Sequence, residues 1–562
     1  MKKTVFIMIA AACMALNACR QTEQHPEGIE HVIIIGLDGM STWGLLAAPT
    51  PCMDSLMQHG ACNFSVRSIL PSVSTPNWTA MMAGVGPEGT GAINNSWKDG
   101  VLSFPYVAMT PERRFPNIFR IIREQKPGAV MGSIHNWGDF ANMYEKEQLD
   151  LDEDYDQDAE VARRSAAYIR EKKPNLMFCY FTNPDGIMHG KGHLSPAYLD
   201  MIATLDGYVR TIVDAVHEAG IADRTVIMVT SDHGGLFYAH GGNSHEELAT
   251  PFIFFGKGVK KNYRIRQQMY RYDLAADIAF ALGLTAPQQW TGRPTKPAYT
   301  GFDEPANLWP SADVLPSPAL VTKEINENFL YGGLWVDTSA TLAIQLRPDT
   351  QGDIRYTLDG TEPTEASPLY TAPVKLDKPT AVKAKLYGKT GESLTVSGQY
   401  RIADTKAGNG LRFTLYHCPQ ARSMPAFSGL KPAAQGTCFE FGFHTPENAA
   451  TMPLNKAIAD YEDHIAVTFE GWLEIDQDNE YDFDMWSTGG SKLFIGNELI
   501  VNNRDNGHSG NHGRIELQKG RHPIRIEFFH DDTATGSILF VSYEAPGIPK
   551  RMIPAEKLFL HK

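Results

Sequence analysis

The sequence predicts a doubly wound, mainly parallel α/β sheet over residues 29–305, followed by two all-β sandwich modules. Three observations predict it. From His31 to Leu284, short and nearly continuous apolar runs alternate with longer amphipathic ones, the pattern of strands buried on both faces and joined by helices. After Pro287 the helical period disappears, and short alternating strands with turn signals take over. The chain has 562 residues, too many for one hydrophobic core.

The predicted strands of the first part are His31–Leu37, 129–134, Leu176–Phe181, 225–229 and 251–255. Between them the helical period is clearest over Asp158–Lys172 and 198–218. The second of these is opened by Ser195-Pro196 and followed by Gly220, a start signal and a stop signal. Trp290-Thr291-Gly292-Arg293-Pro294 and a proline-rich stretch to Pro318 read as a closing loop and linker. The β-rich remainder divides near the polar, glycine-containing 404–409, giving modules at 306–404 and 405–562.

At the other end, Lys2 and Lys3 precede an apolar run from Val5 to Leu16, shorter than a membrane span and flanked like a secretory signal. The run ends in Leu16-Asn17-Ala18-Cys19, which resembles a bacterial lipobox. Residues 1–18 are therefore expected to be removed, Cys19 to carry lipid and 19–28 to act as a tether, placing the protein in the bacterial cell envelope, in the periplasm or at the outer membrane surface. Five of the seven cysteines remain after Cys13 and Cys19. An oxidising compartment permits the local bridges Cys52–Cys62 and Cys418–Cys438, whereas Cys179, in an apolar run, reads as a core thiol. Hydrophobic residues at 43% and charged ones at 21% are the proportions of an ordered globular protein. The formal charge of −14 argues against a nucleic-acid surface, leaves the lipid as the membrane contact, and requires any anionic substrate to be drawn in locally.

Three predicted strands run into aspartates: Asp38 after the first, Asp185 after the strand ending at Phe181, and Asp232 after Val226-Ile227-Met228-Val229. Ligands bind outside the carboxyl ends of strands in open parallel sheets, so these acids converge despite their separation in sequence. One such aspartate is usually a turn former, but three with His189, His233 and His240 in step form a candidate metal set. Mixed carboxylate and imidazole donors suit zinc better than magnesium or calcium. Pro76 and the apolar continuation make Pro71–Gly84 a helix start with Ser74 just before its first turn, where free amides and the helix dipole favour an oxyanion. Ser74 or Thr75 standing alone there would read as an N-cap. Beside metal ligands, the hydroxyl reads as a nucleophile.

The order Asp38-Gly39, Ser74-Thr75-Pro76-Asn77, Asp185-x-x-x-His189, Ser231-Asp232-His233-Gly234-Gly235 and His240-Gly241-Gly242 resembles the alkaline phosphatase superfamily in its nucleotide pyrophosphatase/phosphodiesterase branch, over roughly residues 30 to 300. The resemblance implies two zinc ions, one held by Asp185, His189 and His240, the other by Asp38, Asp232 and His233, with Ser74 as nucleophile bridging toward both. It also gives Asn95, in a segment Gly91–Asn95 similar to the branch's own, the role of hydrogen-bonding the phosphoryl oxygen. Ser74 is preferred to Thr75 because it stands two residues before the proline. His240 is preferred to His245 because the two glycines follow it.

A phosphate ester, possibly on a nucleotide or a glycan, is the substrate this resemblance implies. A glycan sulfatase shares the fold, but Trp78 stands where formylglycine sulfatases carry arginine. Lys191 and His193 are candidate anion clamps near Asp185. The stretch 356–364 with Ser367-Pro368-Leu369-Tyr370 is similar to the C-terminal β-sandwich of chitobiase-type enzymes. The stretch 469–503 resembles the glycan-associated module named after anthrax protective antigen, with Thr488-Gly489-Gly490 where its lectins carry paired acids. A surface glycan-binding protein with an inactive hydrolase domain is the third alternative.

Overall fold

The computed structural model describes residues 24–97, 108–111, 114–236 and 239–308 of the first part. Beyond these it describes 314–315, 317–322, 332–346, 350–389, 391–421, 423–441, 457, 464–487, 489–503, 509–530 and 539–562. The expected signal and lipid site at Cys19, the first half of the tether and Thr488 lie outside the described residues.

The N-terminal part holds an eight-stranded sheet of β1 (His31–Leu37), β2 (Ala61–Arg67), β3 (Met131–His135), β4 (Leu151–Asp154), β5 (Leu176–Phe181), β6 (Thr225–Thr230), β7 (Ala249–Gly256) and β8 (Tyr263–Arg264), in the order β4-β3-β5-β1-β6-β7-β2-β8. Strands β4 to β6 of that order are mutually parallel. The helices are α1 (Thr42–Ala47), α2 (Pro51–Gln58), α3 (Ser74–Ala83), α4 (Pro87–Thr90), α5 (Ile118–Gln125), α6 (Asp158–Lys172), α7 (Asp185–Lys191), α8 (Pro196–Glu218), α9 (His245–Leu248) and α10 (Asp273–Ala281). All seven residues of β1 are buried. Val32 and Ile34 join the core on one face of the sheet, and Ile33, Ile35 and Leu37 the core on the other, which is why β1 reads as a continuous apolar run.

Two features differ from the sequence reading. β7 runs antiparallel to β6, because residues 231–248 bring the chain back at the edge where β6 ended. β2, antiparallel to β7, thus regains the direction of β1 and β6, and its end opens on the same edge. The sequence pattern does not show β2, whose period is broken at Asn63 by a register shift, nor β4, whose Leu-Asp-Glu-Asp lies on the sheet edge.

In the first β module, a sheet containing Ala340–Gln345 packs on one containing Thr380–Gly388 and Val396–Ala403, around Leu342, Ile344, Leu376, Val382, Ala384 and Leu386. In the second, a sheet built on Ile465–Ile475 and Gly520–His530 faces one built on Asn479–Ser487 and Leu539–Ala545, around Phe469, Phe483, Leu493, Ile526 and Val541. The expected disulfides are not formed: Cys52, Cys62, Cys418 and Cys438 are buried free thiols. The Cys62 sulfur instead accepts from the Arg264 guanidinium, and the Cys438 thiol faces the Leu411 carbonyl at 3.8 Å. Cys179 is buried in β5, and burial pushes its thiol up to about 12. No helix among the described residues is long and apolar enough to cross a membrane.

Candidate active site

β5, β1 and β6 are neighbours, so the residues that follow them meet at one carboxyl edge. Asp38 follows β1 directly, Asp185 opens α7 with His189 one turn later, and Asp232 and His233 follow β6. The Asp185 amide donates to the Asp38 carbonyl at 3.0 Å, tying the ends of β5 and β1 together. Gly39, at φ +68°, permits this approach: a Cβ there would lie 2.7 Å from the Asp185 Cβ.

The side chains converge. His233 Nε2 lies 3.2 Å from Asp232 Oδ2 and 3.5 Å from Asp38 Oδ1. His189 Nε2 lies 3.2 Å from Asp185 Oδ2, and His240 Nε2 lies 3.6 Å from Asp185 Oδ1. Asp185, His189 and His240 form one mutually close group, and Asp38, Asp185 and His233 another. The first group is the set the resemblance implies, whereas the second holds Asp185 where the resemblance puts Asp232, which instead lies beside His233. His245 is elsewhere, edge-on to Trp43.

Two histidines are fixed by carbonyls. His233 Nδ1 lies 2.8 Å from the Gly234 oxygen, and His240 Nδ1 lies 3.0 Å from the Ser72 oxygen. A carbonyl only accepts, so each Nδ1 carries the proton and each Nε2 turns a lone pair inward. Burial keeps both rings neutral, lowering His240 to about 4 and His233 below its usual value. Asp38 Oδ1, Asp185 Oδ1 and Asp232 Oδ2 are buried and have no hydrogen-bond partner among the described residues. Lone pairs therefore face lone pairs inside the protein, an arrangement that repels unless cations lie between them. The donor set fits a metal.

The carboxylates register the same conflict. Burial raises Asp38 well above the usual range, helped by the charges of Asp232 and Asp185, and raises Asp232 to about 7. Burial alone would raise Asp185 too, but His189 and His240 hold it below the ordinary value.

Ser74 is the first residue of α3. The N-cap is Val73, which makes no side-chain bond, so Ser74 is not the capping group that an isolated helix start would suggest. Its Oγ points at His233 Nε2, 3.2 Å away. Asn95 Oδ1 accepts from the Thr75 amide at 2.9 Å, which holds the exposed Asn95 amide over the helix tip. His193 does not serve the site: it is buried, its Nε2 lies 2.7 Å from Ser41 Oγ, and burial lowers it to about 3. Lys191 ends α7, exposed.

Sequence reasoning missed the groups behind the cluster. Trp78 Nε1 donates to Asp38 Oδ2 at 3.0 Å, and Tyr180 Oη donates to the same oxygen at 2.5 Å, turning Oδ1 toward His233. The Gly39 amide does the same for Asp232, donating to Oδ1 at 3.1 Å. Ser72 receives the Gly241 amide and donates to the Gly242 carbonyl, and Glu247 accepts from the Gly242 and Ser244 amides, which pins the loop carrying His240. The available signal was polar-tipped aromatics in buried stretches, because a buried indole or phenol needs a partner. Trp78→Phe is expected to lower metal affinity by about 10- to 100-fold with the fold intact, as loss of a ligand's orienting partner does, measured by titration against a chromogenic chelator.

Residues 32–244 match the type I phosphodiesterase / nucleotide pyrophosphatase family, residues 342–400 the Fn3 associated family, and residues 452–557 the PA14 domain. GPI ethanolamine phosphate transferase 1 of Emericella nidulans is 25% identical over 279 residues, 42% of this chain and 29% of its own. Human ectonucleotide pyrophosphatase/phosphodiesterase family member 1 is 22% identical over 236 residues, 38% of this chain and 24% of its own. The chain thus spans less than a third of the length of either relative. Murine ectonucleotide pyrophosphatase / phosphodiesterase 5 superposes with a TM-score of 0.40 at 16% identity, covering 46% of this chain and 97% of that one. The N-terminal domain belongs to the alkaline phosphatase superfamily. Within it, the domain falls in the nucleotide pyrophosphatase/phosphodiesterase branch, and it is followed by Fn3-associated and PA14 β modules.

Proposed function

We propose that the protein is a zinc-dependent phosphoric ester hydrolase acting on phosphodiesters, tethered to the bacterial cell envelope by lipid at Cys19. The observation that carries the catalytic part is the convergence of buried Asp38, Asp232 and His233 with partly buried Asp185, His189 and His240 around inward lone pairs, with Ser74 Oγ directed into it. Asp185, His189 and His240 would hold one zinc ion, and Asp38, Asp232 and His233 the other. Bound there, zinc supplies Lewis-acid stabilisation of phosphoryl oxygens and a lowered pKa for a neighbouring hydroxyl. Ser74 Oγ forms the bond to phosphorus as the ester oxygen departs, and water then releases the phosphoryl group and restores the serine. Asn95, oriented by the Thr75 amide, donates from Nδ2 to a phosphoryl oxygen. A neutral donor at that place suits the single charge of a diester better than the double charge of a monoester.

Zinc-loaded protein assayed in parallel on aryl phosphate diester, aryl phosphate monoester and aryl sulfate is expected to turn over the diester fastest. No turnover of either phosphate ester, or faster turnover of the sulfate, would overturn the proposal. Against a sulfatase stands Trp78, fully buried and bonded to Asp38, where an arginine would be needed. A second reading, transfer of the phosphoryl group to an alcohol, is favoured by the resemblance to the fungal transferases. An added alcohol acceptor that diverts product from hydrolysis to a new diester would support it.

A further inference from the structure

The chain enters the catalytic domain at the end of the sheet farthest from the metal cluster. Residues 25–30 are held at the amino edge, where β1, β5 and β6 begin. His25 Nδ1 lies 3.2 Å from the Phe280 carbonyl oxygen, and the two rings are 5.4 Å apart, at the last turn of α10. That turn is at the amino edge, because Lys126, which shortly precedes β3, donates from Nζ to the Leu282 carbonyl at 2.7 Å. Ile29 is buried, and the Glu30 amide donates to the Arg224 carbonyl at 2.9 Å, one residue before β6 starts.

Reach then decides which edge a lipid at Cys19 can hold against a bilayer. Residues 20–23 are all that separate Cys19 from Gln24, the first described residue. Five links of fully extended chain span at most about 18 Å. β1 has seven residues, so Asp38 stands about 23 Å beyond its start at the usual strand rise. For the metal cluster to meet the bilayer, Cys19 would have to climb the whole height of the sheet and pass the loops carrying Ser74 and His240. The chain is too short for this. The β modules add to the obstruction: Leu394 and Val396 of the first pack on the core that contains Trp43 and Leu194, beside the catalytic edge, and the Trp486 ring of the second lies 6.4 Å from the His189 ring.

The amino edge suits that neighbour. In a chain of formal charge −14, Lys173, Lys257 and Lys261 are exposed there and carry no ion pair among the described residues. The nearby Glu30, Asp150 and Glu218 are paired with Arg224, Arg123 and Arg170. Lysines beside a lipid anchor attract headgroup phosphates, and the exposed Glu27 offsets one of them. We propose that the amino edge of the sheet is a membrane-facing surface, held to the bilayer by the lipid at Cys19. The catalytic edge then faces the aqueous side, and the substrate is a phosphate ester arriving from solution rather than a lipid of the anchoring membrane. The inference rests on the lipid anchor, and the orientation itself does not depend on the hydrolase reading.

The test uses the full lipidated, zinc-loaded chain on dilute vesicles of phosphatidylcholine and phosphatidylglycerol. A fluorophore is attached at Lys261→Cys, on the amino edge, or at Asp156→Cys, just past β4 on the carboxyl edge, with labelling of the unsubstituted protein subtracted. Energy transfer to a headgroup-labelled lipid should place the Asp156 site about 20 Å farther from the bilayer than the Lys261 site, the height of the strands. Equal distances, a closer carboxyl edge, or a mature chain whose mass lacks the lipid would overturn the orientation. On the same vesicles, methyl p-nitrophenyl phosphate in solution should be hydrolysed. Bilayer-embedded hexadecyl p-nitrophenyl phosphate should turn over at about a tenth of that rate or less, because a tether too short to span the gap gives an effective concentration near zero. Inserting about 40 Gly/Ser residues before Gln24, with an r.m.s. reach of about 35 Å, should raise turnover of the embedded ester and leave the soluble one unchanged. Rapid turnover of the embedded ester by the unextended chain, or no rise on insertion, would sink the exclusion of membrane lipids. Distances as expected with neither ester hydrolysed would remove the hydrolase reading and leave the orientation standing.

Discussion

Ser74→Ala is expected to reduce hydrolysis of aryl phosphate diesters by about 10⁴-fold or more, the scale seen when a catalytic nucleophile is removed, while zinc content and thermal midpoint stay near wild type. The hydroxyl has no structural duty to lose: α3 is capped by Val73 without a side-chain bond, and the Ser74 Oγ contact is with His233 Nε2. Removing it should cost about 1 kcal/mol of stability or less. Thr75 is the control. Its amide is held by Asn95 Oδ1, and no contact ties its buried hydroxyl to the metal-site acids or histidines among the described residues. Thr75→Ala should cost less than about tenfold, far below the loss of a nucleophile. If Thr75→Ala were silent in stability but lost activity as Ser74→Ala was expected to, the nucleophile would move one residue along the helix.

Much of this site was legible because its chemistry lies at strand ends. A buried parallel strand announces itself as an apolar run, and the residue after it is placed by topology, so Asp38, Asp185 and Asp232 could be brought together before any coordinates. The end of β2 was not legible, since Asn63 and Ser65 interrupt its apolar pattern and the strand is completed by side-chain bonds from Asn63 to the Ile265 and Gln267 carbonyls. The nucleophile's place therefore rested on the Pro76 helix signal rather than on its strand. The roles of Trp78 and Tyr180 were hidden for another reason. In a linear sequence both look like core aromatics, and only the fold shows that their polar tips end on Asp38.

Stripping the metal with a strong chelator is expected to abolish turnover and lower the thermal midpoint by roughly 15–30 °C. Occupancy of two sites at about 1,000 times Kd contributes roughly 4 kcal/mol each, and about 2–4 °C per kcal/mol is usual for a domain of this size. The pH dependence of the stripped protein provides a sharper check. Asp232, raised by burial to about 7 from an ordinary 3.8, and Asp38, raised in the same direction, hold protons in the folded state that the unfolded chain has released. Their contribution is fully present below the ordinary carboxylate pKa and is lost as pH rises through the folded values. His240, lowered to about 4 from 6.5, works the other way, but only below its ordinary value. Stability of the stripped protein should therefore fall between about pH 6.5 and 7 with no histidine term to offset it. The metal-loaded protein, whose carboxylates stay ionised beside cations, should show no such fall. Differential scanning calorimetry at pH 6, 7 and 8, with and without zinc, reads both curves. A stripped protein as stable at pH 8 as at pH 6, or a midpoint indifferent to zinc, would mean that the inward lone pairs are satisfied by something other than a metal.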